Sequence, residues 1–252
     1  MKFKSLVILS VLAVFGNCAE LFNSGKDDNN DELLLLGLAA GQGCPTSAVT
    51  APEAGTRINF EACAPLDTGL ALSATGFQAR SVTLSGGLVG TSGASNIVSL
   101  ASRLSNVGGS KKATVEVVYR LNSATSWLAV HLIGTTNFNG PGFRLNATGP
   151  QKLVDTQPSA LGTTSWPSSV NTDKTVCLEV HEEGAGAHIF GWQGACASVN
   201  RGVYEFEEED VVIPSGLGGD RVGLILNGAT VKSITIFTKN VGTAGSFLPG
   251  GF

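Results

Sequence analysis

Two glutamates on one short run and a small set of histidines and tryptophans are the side chains best placed here to do chemistry. Glu205 and Glu207 alternate in YEFEEED (204–210), so on a strand both carboxylates face one way. A carboxylate pair about 5–9.5 Å apart is the apparatus of glycoside hydrolysis. The run continues acidic to Asp210, however, and a solvated strand edge is the expected reading. His181 and His188 flank a connection, Glu182–Ala187. A five-residue loop would put them on opposite faces, whereas a four-residue loop would set Glu179 across from His188, which could assemble a His/Glu metal site. No standard ligand spacing accompanies them. The expectation is a polar hairpin tip beside a disulfide, and neither a metal nor a cofactor is assigned. Asp155, Asp173 and Asp220 are loop carboxylates of the kind that ligate calcium, but they read as turn and capping residues. No G-x-S-x-G elbow occurs, and no Ser-His-Asp triad can be assembled from local signatures.

The aromatic residues carry more. In SWLAVHLI the core face is Leu128, Val130 and Leu132, which leaves Trp127 and His131 on the other. Arg144 and Asn146 occupy the polar face of GFRLNA. If the two strands share a sheet, Trp127, His131, Arg144 and Asn146 form one outward patch. A flat aromatic ring beside hydrogen-bonding groups suits a sugar or a peptide. Trp166, in TTSWPSS, is expected to rim that patch from a loop, and Trp192 to pack beside a disulfide. The competing reading covers Trp127 with a loop or with the run Leu33–Leu36.

The supporting elements follow from composition. Of 252 residues 42% are hydrophobic and only 14% charged, with 33 glycines, a mix that favours short strands joined by turns over helices. The net charge of −4 and the lack of a basic stripe argue against nucleic acid as a partner. Cys44, Cys63, Cys177 and Cys196 allow three pairings. The local ones, Cys44–Cys63 and Cys177–Cys196, are favoured, each closing a loop of about 20 residues worth ~3 kcal/mol. Period-two alternation recurs: Ile58 and Phe60; Val115, Val117, Tyr119 and Leu121; Leu128, Val130 and Leu132; Phe143 and Leu145; Val176, Leu178 and Val180; Tyr204 and Phe206. No sustained helical period appears after residue 42. The fold class expected is all-β, a two-sheet antiparallel sandwich of the jelly-roll kind.

Residues 1–18, MKFKSLVILSVLAVFGNC, place Lys2 and Lys4 before an apolar stretch from Leu6 to Phe15, and Cys18 follows closely. This resembles the lipobox of bacterial lipoproteins, in the relaxed form similar to spirochaetal, especially leptospiral, ones; Phe15 and Asn17 stand where Leu and a small residue are usual. The resemblance implies a signal peptide over 1–17, acylation of Cys18 and a stable membrane anchor. Loss of Lys2 and Lys4 takes the net charge from −4 to −6. Residues 18–42 read as a flexible tether with a short Leu-rich segment, and 43–252 as the sandwich domain.

The order GFRLNATG (142–149), TVCLEVHEEGAGAHIFGW (175–192) and GGDRVGLILNGATVKSITIFTKN (218–240) looks like the second half of concanavalin A-like (laminin G-like) jelly rolls, with 218–240 as the closing hairpin. That fold carries lectins, glycosidases and adhesive modules alike. The glycosidases' acidic E-x-D-x-x-E or E-x-D-x-E pattern is missing here. The leading expectation is therefore a lipid-anchored envelope protein, in the outer membrane, that binds a glycan, a matrix component or another host or envelope ligand without catalysis. The alternatives are a divergent glycoside hydrolase and a purely structural envelope lipoprotein.

Overall fold

A computed structural model describes residues 43–63, 67–90, 95–100, 103, 105–107, 110–163, 166, 169–200 and 202–237. The signal segment 1–17, Cys18, the tether 18–42 with Leu33–Leu36, and the end of the chain from 238 lie outside the described residues.

In chain order the strands are β1 (Thr46–Val49), β2 (Gly55–Asn59), β3 (Phe77–Arg80), β4 (Val82–Leu84), β5 (Leu88–Gly90), β6 (Ser95–Ser99), β7 (Ser105–Val107), β8 (Ser110–Leu121), β9 (Trp127–Gly134), β10 (Pro141–Asn146), β11 (Gly149–Val154), β12 (Gln157–Ala160), β13 (Gly162–Thr163), β14 (Asp173–Glu183), β15 (Gly186–Gln193), β16 (Phe206–Val211), β17 (Arg221–Asn227) and β18 (Ala229–Phe237). One short helix, α1 (Thr68–Ala74), lies between β2 and β3. Seven residues are too few to show a period, but Asp67 caps it, accepting from the Leu70 amide at 2.8 Å.

The strands make the two-sheet antiparallel jelly-roll sandwich the alternation implied. The larger sheet runs β1-β2-β18-β8-β14-β15-β16-β13, with β5 and β7 pairing to β18 and β8; the smaller runs β12-β11-β10-β9-β17-β6-β3. The inner faces are the expected ones. Val115, Val117, Tyr119 and Leu121 of β8 and Val176, Leu178 and Val180 of β14 meet Leu128, Val130 and Leu132 of β9 and Phe143 and Leu145 of β10 in one buried core.

Three local expectations change. The last two strands are not a hairpin: β17 pairs with β6 and β9 in the smaller sheet, and β18 with β2, β5 and β8 in the larger. The chain crosses between sheets at Gly228, whose φ of 60° suits glycine. Tyr204 and Phe206 do not share a strand face, because β16 begins at Phe206. Phe206 enters the main core, whereas Tyr204 joins a second cluster outside the larger sheet, with Phe190, Trp192, Phe237 and both cysteines of the Cys177–Cys196 bond. The third change concerns the hairpin register and is described with the site. Both disulfides have the expected local pairing, Cys44–Cys63 and Cys177–Cys196.

Candidate functional site

The register of the smaller sheet dictates what its outer face presents. Residues directly opposite on neighbouring strands share a face. Trp127 lies opposite Asn146 on one side and Asn227 on the other. The next row is Gln151, Arg144, Ala129, Ile225, Asn96 and Arg80, one residue from each of six strands. At the usual strand spacing this row is about 24 Å long. Its members are half-buried or exposed apart from Ala129, which is buried and small and so leaves a shallow floor between Trp127 and its neighbours. Arg144 Cζ stands 4.5 Å from the centroid of the Trp127 ring. That contact fixes the indole plane, contributing about 0.5–1 kcal/mol at a half-exposed position. The Arg144 Nε is shielded from solvent and meets no acceptor among the described residues. No acidic residue stands in either row.

The third row of the same face is closed. His131 lies opposite Gly142 and Gly223, and only 1% of it is exposed. The turn after β9 folds back over it, and Phe138 packs edge-on against the imidazole with centroids 5.8 Å apart. Gly223 makes room, since a Cβ there would stand 2.8 Å from the Phe138 ring. Burial pushes the His131 pKa down to about 4, against the opposing pull of Asp155 and a Gly140 backbone hydrogen bond. His131 is thus on the expected face but sealed from any ligand.

Asn146 is also on that face, yet its amide is occupied by the β10–β11 turn. Its Oδ1 accepts from the Thr148 and Gly149 amides and the Thr148 hydroxyl, and its Nδ2 donates to Gln151 at 3.0 Å. Trp166 does not rim the patch. Its ring packs edge-on against Phe206 of the inter-sheet core, Lys174 Nζ stands 4.7 Å from its centroid, and its Nε1 donates to the Asn146 carbonyl. The structure thus keeps Trp127 and Arg144 together in the open part of the face, and adds Gln151, Asn227, Asn96 and Arg80. The last two escaped the sequence because nothing local shows that β6 and β3 continue the sheet beyond β17.

The carboxylate candidates are elsewhere. Glu205 Oε2 accepts from the Gln193 amide at 3.1 Å, and Glu207 faces His188; neither belongs to the Trp127 face. Asp155 accepts from the Gly140 amide and from Ser215, Asp173 pairs with Arg120, and Asp220 pairs with Arg221. The three loop carboxylates are each engaged by protein donors.

The histidine hairpin differs from both loop lengths considered above. β14 runs on to Glu183 and β15 starts at Gly186, so a two-residue turn at Gly184–Ala185 sets His181 directly across from His188 and Glu179 across from Phe190. Gly184, at φ 55°, supplies the left-handed residue such a tight turn needs. The two rings lie on the outer face of the larger sheet, centroids 4.9 Å apart, and both are buried. Burial pushes His181 down to about 4, with Lys112 adding to the effect and Glu183 opposing it. His188 is lowered by burial and by His181, against Glu183 and Glu207.

No protein family and no curated protein matches the chain. Solved structures similar to it include the carbohydrate binding module CBM66 from Bacillus subtilis, 17% identical over 65% of this chain and 92% of that one, with a TM-score of 0.39. The Emp46p carbohydrate recognition domain in its potassium-bound form is 13% identical over 80% of this chain and 99% of its own, with a TM-score of 0.47. The Trypanosoma rangeli sialidase is 11% identical, the match covering 67% of this chain and 28% of that one, with a TM-score of 0.40. Identities this low concern the fold and not the ligand.

Proposed function

We propose that this chain is a lipid-anchored cell-envelope protein that binds a glycan on the outer face of its smaller sheet and does not convert it. The observation that carries this reading is the Trp127–Arg144 pair set in a row of amide and guanidinium side chains. An indole face offers apolar area to the C–H face of a sugar ring. Gln151, Asn227, Asn96 and the two arginines offer fixed hydrogen-bonding partners for hydroxyl or acidic groups around it. The guanidinium cations favour a glycan that bears acidic groups. With no carboxylate in the two rows, hydrolysis by a carboxylate pair has no support on this face.

In this reading Cys18 carries the lipid, residues 18–42 hold the domain off the outer membrane, and the open face meets ligands from the matrix or from a host. A glycan array probed with the protein and with its Trp127→Ala variant tests the reading.

A further inference from the structure

The outer face of the larger sheet, on the other side of the sandwich from Trp127, carries a second constellation. His181 Nε2 stands 3.8 Å and His188 Nδ1 3.5 Å from the same Glu183 oxygen, Oε2. One ligand atom from each of these three residues lies within 4.8 Å of the others. Around a tetrahedral ion with bonds of about 2.0–2.1 Å, neighbouring ligand atoms stand about 3.4 Å apart, so the two imidazole–Glu183 separations need to close by only a few tenths of an ångström.

The opposite ring nitrogens strengthen the case. His181 Nδ1 faces Glu179 Oε1 at 3.9 Å, and His188 Nε2 faces Glu207 Oε2 at 3.4 Å. Each imidazole therefore has one nitrogen toward Glu183 and the other toward a second carboxyl group. Metal-binding histidines have the same disposition, in which an N–H held by a carboxylate fixes the tautomer and aims the lone pair at the ion; here the two carboxyl groups stand on the required side of each ring, at ion-pair rather than hydrogen-bond separations. Glu179 is itself fixed, accepting from the Thr114 hydroxyl at 3.1 Å. Both rings are held by packing against Phe190, at 5.4 Å for His181 and 4.4 Å for His188. Lys112 lies opposite His181 on β8, and Glu179, Glu183, Glu207 and Glu209 offset its charge.

We propose that His181, His188 and Glu183 form a binding site for a divalent transition ion of the zinc class, with Glu179 and Glu207 orienting the two imidazoles. A His2Glu set leaves a coordination position open. Glu183, whose side chain is 43% exposed, places that position toward solvent. The site stands independently of the glycan reading, because it uses no residue of the Trp127 face.

Equilibrium dialysis of the metal-free full chain against Zn2+, with Co2+ absorption as the spectroscopic readout, tests the site. The expected result is one ion per chain and a tetrahedral Co2+ spectrum. Affinity should fall at least tenfold in Glu183→Gln, and about 10–100-fold in Glu207→Ala, the range seen for orienting partners. The remote variant Glu61→Gln should bind as the parent does. Because Glu183 lies at the surface, Glu183→Gln keeps the fold even if His188→Gln does not. Failure to bind either ion saturably, or equal affinity in Glu183→Gln and Glu61→Gln, would overturn the proposal.

Discussion

The Arg144 guanidinium lies over the Trp127 ring, 4.5 Å from its centroid, although the two residues sit on neighbouring strands two residues out of register. Asn146, not Arg144, is the direct partner of Trp127, so the contact is diagonal. Diagonal neighbours come within reach only for long or aromatic side chains, and this pair meets both conditions. Removing the guanidinium should therefore free the indole without unfolding the sheet. Arg144→Ala is expected to cost no more than about 1 kcal/mol in denaturant unfolding. It should also weaken glycan binding while leaving the core intact. A loss of several kcal/mol would mean that the pair holds the fold together instead of presenting a ligand face.

His131 should make the protein sensitive to acid. Its folded pKa of about 4 lies below the unfolded value of 6.5, so between these values the unfolded chain binds the extra proton. The stability tied to the neutral ring is complete above pH 6.5 and is lost as pH falls toward 4. For a fully buried group this amounts to about 3 kcal/mol. Melting temperature followed across that window should fall less steeply in His131→Gln than in the parent. Equal slopes, or a His131 titration by NMR near the ordinary value, would count against the sealed imidazole.

The seal itself depends on Gly223. A methyl group there would press on the Phe138 ring, which would have to lift off His131. Gly223→Ala is expected to destabilise by about 1–3 kcal/mol, the usual cost of overpacking. It should also raise the His131 pKa toward 6.5 by admitting water. An unchanged His131 titration in this variant would show that Phe138 is not the cover.

How far the sequence reaches is clear from these residues. Alternation over Leu128–Leu132 puts Trp127 and His131 on one outer face, and the structure agrees, because a half-buried strand has only two faces to offer. Alternation is silent about what lies above a face. The Thr135–Gly140 turn that closes over His131 is held by Thr135 hydrogen bonds and by Asp155, contacts that no local pattern marks. Register is equally hidden. His181 and His188 are seven positions apart, and only the length of the turn decides whether they meet. The cysteines were legible because short loops favour local pairing. The passage of the chain between sheets at Gly228 was not, since RVGLILN (221–227) and TVKSITIFT (230–238) with Gly228 and Ala229 between them also fit a two-residue hairpin.

The Cys177–Cys196 bond ties the segment after β15 over Phe190 and Trp192, helped by the Cys196 amide donating to Glu116 at 2.8 Å and by Trp192 Nε1 donating to the Val203 carbonyl at 2.7 Å. The pair is separated by 19 residues. Replacing both cysteines with alanine should cost about 3 kcal/mol by loop closure. Trp192 fluorescence should shift to longer wavelength as the cover loosens. A stability change under about 1 kcal/mol, with unaltered emission, would show that packing alone holds the segment.

The central claim, that the Trp127 face takes up a glycan, is tested most directly by applying the full chain and its Trp127→Ala variant to one array of glycans and matrix proteins. The account predicts selective binding to a subset of glycans, weakened about tenfold or more in Trp127→Ala. Binding of equal strength by both proteins, or binding to no glycan at all, would contradict it.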